Sequence, residues 1–198
     1  ALLGWSTENE IFSIDELIES FKIENVQKAA AVFDLKRFNW VSSQQLAKLD
    51  ENGFFEVIKP FMENEEVSED YPNYKKILLA MRTSKTNLKD IAHATRPFFF
   101  ELDGYDEKGV EKFLNESLET LTFALEVLSK LTEWNETELD MALIKVRDYF
   151  NLPIPKVNQP MRIALVGSTV SPSLGLTLEL FGKEKSLERI QKAIDFIS

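Results

Sequence analysis

Apolar residues recur every three or four positions along most of this chain, which is the spacing of an amphipathic α-helix. Phe54, Ile58 and Phe61 form one such face, and leucines three or four residues apart form another within Val110–Leu131. The alternation of apolar and polar residues that marks a strand is brief and ambiguous, and it occurs only in residues 162–166. The pattern predicts an all-α fold, a helical bundle or cage of about ten helices in two successive helical subdomains.

Polar and proline signals predict where several helices begin. Ser13 followed by Glu16 has the spacing of a capping box, in which each side chain binds the other residue's backbone N–H. Asn135 with Glu138 three residues later predicts a second cap of this kind. Pro72 is expected in the first turn of a third helix, because that turn does not use its N–H.

Serines and the reach of the apolar pattern suggest further helix boundaries. Between Phe33 and Leu49 we expect two short helices, with Ser42 or Ser43 capping the second. The longest helix is expected from about Asp106 to Leu131, where the leucine face continues. Such a face either packs in the core, which is the commoner case, or binds a partner helix.

Prolines and glycines interrupt the C-terminal half of the chain. The helical pattern before Pro97 is expected to end near that residue. Pro160 predicts a turn that places Arg162 in the first turn of a short helix. The segment Gly167–Ser173 is rich in turn residues and predicts a loop, and Gly182 separates the two helices that follow.

Composition narrows the class of protein. With 198 residues, 44% of them hydrophobic, the chain can bury a sizeable core. It has no cysteine and a single histidine, His93, which excludes disulfides, thiolate metal sites and histidine clusters. No apolar run reaches the roughly 20 residues that a membrane helix needs. We therefore expect no membrane contact, no metal ligand set and a cytoplasmic location.

Charge is unevenly distributed along the chain. The formal net charge is −10, which argues against a nucleic-acid partner at first sight. Residues 151–198, however, hold six basic and four acidic residues, whereas residues 1–150 hold 17 basic and 29 acidic ones. An RNA contact should therefore lie in the last quarter of the chain, and its affinity should depend strongly on salt.

The loop Gly167–Ser173 permits two enzymatic interpretations that its residues do not support. Ser168, Thr169 and Ser171 offer hydroxyls and His93 a base. Serine and threonine, however, commonly satisfy backbone groups in loops, and His93 lies in a helical pattern. A phosphate-binding loop would need a lysine after its second glycine, Gly175, and a preceding strand. We expect no catalytic residue in this segment.

Arg162 has two interpretations that the residues alone leave open. An arginine beside a turn-rich loop can offer a flat donor fork and a stacking surface to an unpaired base. The commoner role of such a residue is a surface salt bridge.

Four separated stretches carry a resemblance to a known family. They are Ala1–Ser6 with Glu10–Ser13; Val26–Asp34 with Lys36–Trp40; Arg82–Thr86 with Ala92 and Phe98–Phe99; and Pro160–Arg162 with Ala164–Leu165, Gly167, Ser171–Leu174 and Gly182–Lys183. In this order, and over essentially the whole chain, they resemble bacterial glutamyl-tRNA synthetases, which are class I aminoacyl-tRNA synthetases.

The resemblance implies the C-terminal part of such an enzyme. The HIGH-type and KMSKS-type signatures of the ATP site do not occur here, so the catalytic Rossmann domain is expected outside this segment. Residues 1–62 resemble the end of the stem-contact region and the start of the helical anticodon-binding part. Residues 63–150 and 151–198 resemble its first and its C-terminal helical subdomains. The parent enzyme would attach glutamate to tRNA(Glu) with ATP and Mg²⁺, whereas this segment alone would bind no cofactor and catalyse nothing.

The resemblance also assigns candidate RNA-binding residues. Arg162 and the loop residues Ser171, Pro172, Ser173 and Leu174 match positions that contact anticodon bases in the family. Pro172 would fix the loop, and Leu174 would offer a base an apolar surface. The implied partners are tRNA(Glu) and the N-terminal catalytic domain of the same polypeptide, in a monomer.

One region departs from the family pattern. Where some relatives have an arginine linked to anticodon discrimination, this chain has Ala47, after Trp40, with Lys48 next to it. The sequence therefore leaves open whether the parent rejects tRNA(Gln) or tolerates it. Gln44 and Lys48 are further candidate RNA contacts. The rival hypothesis is an acidic all-α protein-interaction module with no RNA role, which the net charge and the leucine face suggest.

Overall fold

The computed structural model describes residues 5, 10–26 and 33–198, and within these ranges the fold is all-α, as predicted. The α-helices are α1 (Ile14–Ser20), α2 (Leu35–Lys48), α3 (Glu51–Asn64), α4 (Tyr74–Met81), α5 (Leu88–Phe99), α6 (Glu107–Gly109), α7 (Leu118–Ser129), α8 (Glu136–Phe150), α9 (Ile154–Val166), α10 (Leu174–Phe181) and α11 (Lys183–Ile197). A single antiparallel bridge between Trp5 and Val26 is the β pairing seen in the described ranges. Parts of the first two stretches that resemble the synthetases, residues 1–4, 6 and 27–32, lie outside these ranges.

The predicted helix caps are confirmed. Ser13 Oγ accepts the N–H of Glu16 at 3.2 Å, and the Glu16 carboxylate accepts the N–H of Ser13 at 2.7 Å. Asn135 Oδ1 accepts the N–H of Glu138 at 3.0 Å and begins α8. These caps were predictable because a cap depends on residues only three positions apart.

The prediction of two short helices between Phe33 and Leu49 is wrong. Residues 35–48 form the single helix α2, which Asp34 caps through the N–H of Arg37. Ser43 lies inside this helix, where its hydroxyl donates to the Trp40 carbonyl at 2.7 Å. A serine that bonds to the preceding turn in this way can remain within a helix instead of starting one.

The expected long helix from Asp106 to Leu131 is interrupted. After α6, residues 110–114 form a π-helical turn, and α7 begins only at Leu118. In the break, the buried Ser117 hydroxyl donates to the Leu114 carbonyl at 2.6 Å, so the side chain competes with a helical backbone bond. Leucines continue at four-residue spacing on both sides, and periodicity alone therefore did not reveal the break.

The helix before Pro97 ends at Phe99, near that residue as expected, although Pro97 itself lies inside α5. The turn predicted at Pro160 is wrong, because Pro160 lies inside α9. Arg162 is consequently near the C-terminal end of α9 rather than in its first turn. An interior proline costs about 3 kcal/mol in an isolated helix, but the burial of Pro160 in the core offsets that cost. Pro72 precedes α4 by two residues, and Asn73, with a left-handed φ of 60°, caps that helix.

The core settles the role of the leucine face. Leu114, Leu121 and Leu128 are fully buried, so most of this face packs in the core, whereas Leu118 is 39% exposed. One cluster of buried apolar side chains extends from α2 to α11. The predicted boundaries after residues 62 and 150 both fall within the sequence span of this cluster, and they stay predictions. No described helix has the length and apolar character needed to cross a membrane.

A buried arginine joins three helices near the end of α9. The Arg189 guanidinium on α11 donates to the carbonyl of Leu165 in α9 and, at 2.6 Å, to that of Phe100 after α5. It also lies over the Phe181 ring, 4.6 Å from the centroid. Burial lowers the pKa of Arg189, but its charge complements the partial negative charge at both helix ends. These bonds from Arg189 therefore fix the position of the backbone at the end of α9.

Replacing Arg189 should destabilise the fold. Arg189→Ala leaves the Leu165 and Phe100 carbonyls without this donor and opens a cavity, so we expect the free energy of unfolding to fall by about 2–4 kcal/mol. Arg147→Ala is the matched control, because Arg147 is a surface residue that pairs with its neighbour Asp148. Urea denaturation measures both variants, and equal stabilities would contradict the proposed role of Arg189.

Candidate nucleic-acid interface

The loop between α9 and α10 is fixed at its first residue. Gly167 ends α9 with a left-handed φ of 73°, a conformation that favours glycine. Its carbonyl accepts the N–H of Asp106 at 2.8 Å. A Cβ at this position would lie 2.9 Å from the carbonyl oxygen of Gly104. The loop therefore starts against the 104–106 segment, and a side chain at residue 167 would disturb that contact.

Arg162 binds the middle of the loop. Its Nε donates to Ser171 Oγ at 3.2 Å, and its Nη2 lies 3.4 Å from the Pro172 carbonyl oxygen. The side chain is half-buried, and desolvation lowers its pKa. It forms no ion pair with any residue that the structure describes, so the salt-bridge interpretation is not supported there. The structure brings Arg162, Ser171 and Pro172 together, as the resemblance implies.

Ser173 and Leu174 have different roles from each other. Ser173 is exposed and caps α10, since its Oγ accepts the Leu176 N–H at 3.4 Å and donates to Glu136 Oε1 at 2.5 Å. Leu174 is only 3% exposed, and its side chain belongs to the core. Little of its side chain is accessible to a base, and the RNA-binding role of Leu174 stays a prediction. Its side chain anchors the start of α10.

Helix α10 approaches α8 closely at Gly175. A Cβ on Gly175 would collide with the Asp140 carboxylate and lie 2.9 Å from the Glu136 carbonyl oxygen. Burial, followed by the nearby Glu136, raises the pKa of Asp140, and the Gly175 amide partly opposes this shift. Carboxylates of α8 thus already occupy the N-terminal end of α10, which is consequently not an open site for a phosphate group.

Glu179 ties the same helix to two others. Its carboxylate accepts the Glu136 backbone N–H at 2.7 Å and pairs with Lys76 of α4. These interactions, with Lys76 first, lower the pKa of Glu179. At the preceding residue of α10, the Leu178 carbonyl accepts a hydrogen bond from Trp134 Nε1 at 2.9 Å. Helix α10 is therefore a rigid support for the loop that precedes it.

The basic excess of residues 151–198 is mostly used within the protein. Lys185 and Lys192 pair with Glu101 at 3.7 and 3.1 Å, and Lys183 donates to the Leu131 carbonyl at 2.7 Å. The remaining basic residues apart from Arg162 are the buried Arg189 and Lys156, which lies 3.8 Å from Glu116. The net charge of residues 151–198 indicated this segment as the candidate RNA-binding region. Arg162 is the basic side chain of the segment that contacts the loop.

A groove next to the loop was not predicted from the sequence. It encloses about 440 Å³ between the C-terminal half of α5 and the loop. Lys85, Arg96 and Phe100 line one side, and Gly167 and Ser168 line the other. Arg96 pairs with Glu65 at 3.1 Å and lies over the Phe100 ring at 4.9 Å.

A sequence signal for this groove did exist. His93 and Arg96, three residues apart, share one face of α5, and Lys85 precedes that helix. The signal is weak, because solvated helix faces commonly carry such charges. His93 itself is a surface residue, 3.4 Å from the Glu65 carboxylate.

Gln44 and Lys48 lie on the exposed side of α2. Arg82 attaches the end of that helix to the rest of the fold by donating to the carbonyls of Leu46 and Leu49, the latter at 2.6 Å. In the part of the chain that the structure describes, neither Gln44 nor Lys48 forms a hydrogen bond with the loop. Their RNA-binding role stays a prediction.

Comparison with known proteins confirms the resemblance. Residues 53–194 match the family model described as the anticodon binding domain. The chain is 33% identical over 204 residues to the glutamate–tRNA ligase of Thermodesulfovibrio yellowstonii, with 98% of this chain covered. It is 32% identical over 203 residues to glutamate–tRNA ligase 2 of Thermoanaerobacter pseudethanolicus, with 99% covered.

Solved structures agree with these sequence matches. The crystal structure of a glutamate tRNA ligase from Elizabethkingia meningosepticum in complex with its amino acid superposes with a TM-score of 0.80 at 28% identity over 100% of this chain. The glutamate-tRNA synthetase of Elizabethkingia anophelis superposes with a TM-score of 0.77 at 28% identity. The chain spans about two fifths of these proteins: 43% and 42% of the two ligases matched by sequence, and 40% and 39% of the two solved chains.

Gly175→Ala should destabilise the fold at the α8–α10 contact. The added methyl group has no room beside Asp140 and the Glu136 carbonyl, so we expect the free energy of unfolding to fall by about 1–3 kcal/mol. Gly104→Ala is a suitable control, since a Cβ there would meet no atom within 4 Å. Thermal denaturation of the two variants checks the prediction, which fails if the Gly175 variant is as stable as the Gly104 variant.

The stability contribution of Glu179 should depend on pH in a defined direction. Its pKa in the folded chain lies below the usual 4.5, so the ionised group stabilises the fold above that pH, and the contribution is lost as pH falls through the folded pKa. Glu179→Gln should therefore be less stable than the parent chain at pH 7, and the two stabilities should converge as pH falls below 4.5 and through the folded pKa. Urea denaturation across this range measures the difference. Glu111→Gln, at an exposed position, should show no such trend, and a Glu179 deficit that does not change with pH would contradict this account.

Proposed function

Since the chain belongs to the anticodon-binding domain family, we propose that it recognises the anticodon of tRNA(Glu) as the C-terminal part of a bacterial glutamate–tRNA ligase. The observation that carries this proposal is the loop at residues 167–173, which Arg162 binds from α9. Single-stranded RNA is read when unstacked bases meet side chains and backbone amides on their edges and faces. A loop built from Gly, Ser, Thr and Pro exposes such groups.

The order of the loop supports this role. Gly167 fixes its start, Arg162 its middle, and Ser173 its end through Glu136. A loop that is already ordered loses less conformational freedom when it binds, so more of each contact's energy appears as affinity. The exposed surface of the loop includes Val170, with 47% of its area accessible, and Ser173.

Arg162 has two effects in this proposal. Two of its nitrogens lie near acceptors of the loop, and the guanidinium is half-buried without a carboxylate partner among the described residues. The remaining donors and the planar face of the group suit an unpaired base. Loss of Arg162 therefore has two consequences at once: it removes a candidate RNA contact, and it removes the hydrogen bonds that hold the loop. Contacts of this kind contribute about 1–3 kcal/mol each.

The groove beside the loop offers a path for a neighbouring nucleotide. Lys85 and Arg96 supply hydrogen-bond donors along it, and Phe100 supplies an aromatic surface. Asp90, Glu101 and Asp103 also line it, so the groove is mixed in charge. Hydrogen bonding to base edges fits this lining better than neutralisation of several phosphates.

The activity of the whole protein is part of the same proposal. A catalytic domain preceding this segment in a single polypeptide would activate glutamate with ATP and Mg²⁺ and transfer it to the tRNA, in a cytoplasmic, monomeric enzyme. The residues described above would position the tRNA by its anticodon and take no part in the chemistry. The absence of an arginine at Ala47 leaves rejection or tolerance of tRNA(Gln) to be measured.

The rival hypothesis of a protein-interaction module lacks support from the structure. It was based on the net charge and on the leucine face, and three leucines of that face, Leu114, Leu121 and Leu128, are fully buried. The family match and the ligase relatives instead favour an RNA partner.

A binding titration tests the proposed function. At low salt, the 198-residue chain should bind tRNA(Glu) more tightly than the same tRNA with an exchanged anticodon. Arg162→Ala should reduce binding to tRNA(Glu) by about 5- to 100-fold and leave the exchanged tRNA nearly unaffected. Arg147→Ala, which removes the same charge from the surface of α8, should reduce binding to both only slightly. Equal binding of both tRNAs by the parent chain would contradict the proposal.

A further inference from the structure

We infer that Thr177 is a positioning residue for anticodon reading, because its buried hydroxyl holds Ser171 in the orientation that Arg162 requires. Thr177 lies in the first turns of α10 and is fully buried. Its Oγ1 is 3.2 Å from Ser171 Oγ, across the loop, and 2.9 Å from the carbonyl oxygen of Ser173. This inference rests on the proposed function of the loop.

Ser171 Oγ is the common point of a short hydrogen-bond chain. It accepts Arg162 Nε at 3.2 Å from α9 and has Thr177 Oγ1 at 3.2 Å on the side of α10. Its own hydroxyl lies 3.0 Å from the Pro172 carbonyl oxygen. A serine hydroxyl has one proton and two lone pairs. Pro172 and Arg162 use the proton and one lone pair of Ser171, and its second lone pair faces the single Thr177 proton, which is shared with the nearer Ser173 carbonyl oxygen. Ser171 therefore acts on the loop through its side chain.

The Thr177 hydroxyl is not needed to form α10. The Thr177 backbone N–H already donates to the Ser173 carbonyl at 2.9 Å, and Ser173 Oγ caps the Leu176 N–H. A buried threonine that only completed the helix would have no contact with Ser171. The contact across the loop therefore distinguishes a positioning role from a general contribution to helix stability.

The consequence is a link between α10 and the guanidinium. With Thr177 in place, Ser171 Oγ stays where Arg162 Nε can donate to it. Without that hydroxyl, Ser171 can turn away, and both the loop and Arg162 become free to adopt other conformations. Non-specific attraction of RNA does not depend on these positions, whereas discrimination between anticodons does.

Thr177→Val and Thr177→Ser separate these effects. Valine keeps the shape of the side chain and removes the hydroxyl, and serine keeps the hydroxyl. For Thr177→Val we expect the preference for tRNA(Glu) over the anticodon-exchanged tRNA to fall about 10-fold, with binding of the exchanged tRNA unchanged. Thr177→Ser should retain most of the preference. Thr95→Val is the matched control, because Thr95 is also buried and its hydroxyl contacts Ala92 and Met62 instead of the loop.

A second measurement is independent of RNA. Amide hydrogen exchange at Ser171 and Ser173 should be faster in Thr177→Val than in the parent chain, and unchanged in Thr95→Val. A Thr177→Val chain with an unaltered anticodon preference and unaltered loop exchange would overturn the inference while leaving the proposed function intact. A parent chain without any anticodon preference would instead overturn the proposed function and this inference together.

Discussion

The hydrogen bond from Arg162 to Ser171 is the interaction on which the candidate interface depends. It crosses from α9 to a loop that has no regular hydrogen bonding of its own. It forms because Arg189 holds the end of α9, Gly167 turns the chain against residues 104–106, and Gly175 lets α10 approach α8. Each of these features is ordinary in a helical fold, and together they present one short polar loop at a fixed position.

Positive charge contributes little to the candidate interface. The chain is acidic, and most basic residues of its last quarter bind protein groups. Carboxylates of α8 also occupy the N-terminal end of α10, next to the loop. A surface of this kind attracts phosphates weakly. Its carboxylates also disfavour any position of the RNA that brings a phosphate next to them. The proposed recognition would therefore depend on the shape and hydrogen-bonding groups of the loop more than on net charge.

The sequence predicted what local rules control. The caps at Ser13 and Asn135 depend on three-residue spacing, and the helical class follows from apolar periodicity. The turn predicted at Pro160 was wrong because tertiary packing outweighs a local preference against interior proline. The side chain of Leu174 could not be placed from the sequence, since its burial is set by how α10 packs. The resemblance indicated Arg162 and the loop, but the contact of Thr177 with Ser171 is visible only when the helices are in place.

Hydrogen–deuterium exchange of the 198-residue chain, with and without saturating tRNA(Glu), tests the central claim most directly. The account predicts that binding slows exchange in residues 168–174 more than anywhere else in the part of the chain described here. It also predicts that an anticodon-exchanged tRNA, at equal occupancy, protects these residues less. Protection confined to other segments, such as α1 and α2, or equal protection by both tRNAs, would contradict the assignment of this loop as the anticodon-reading surface.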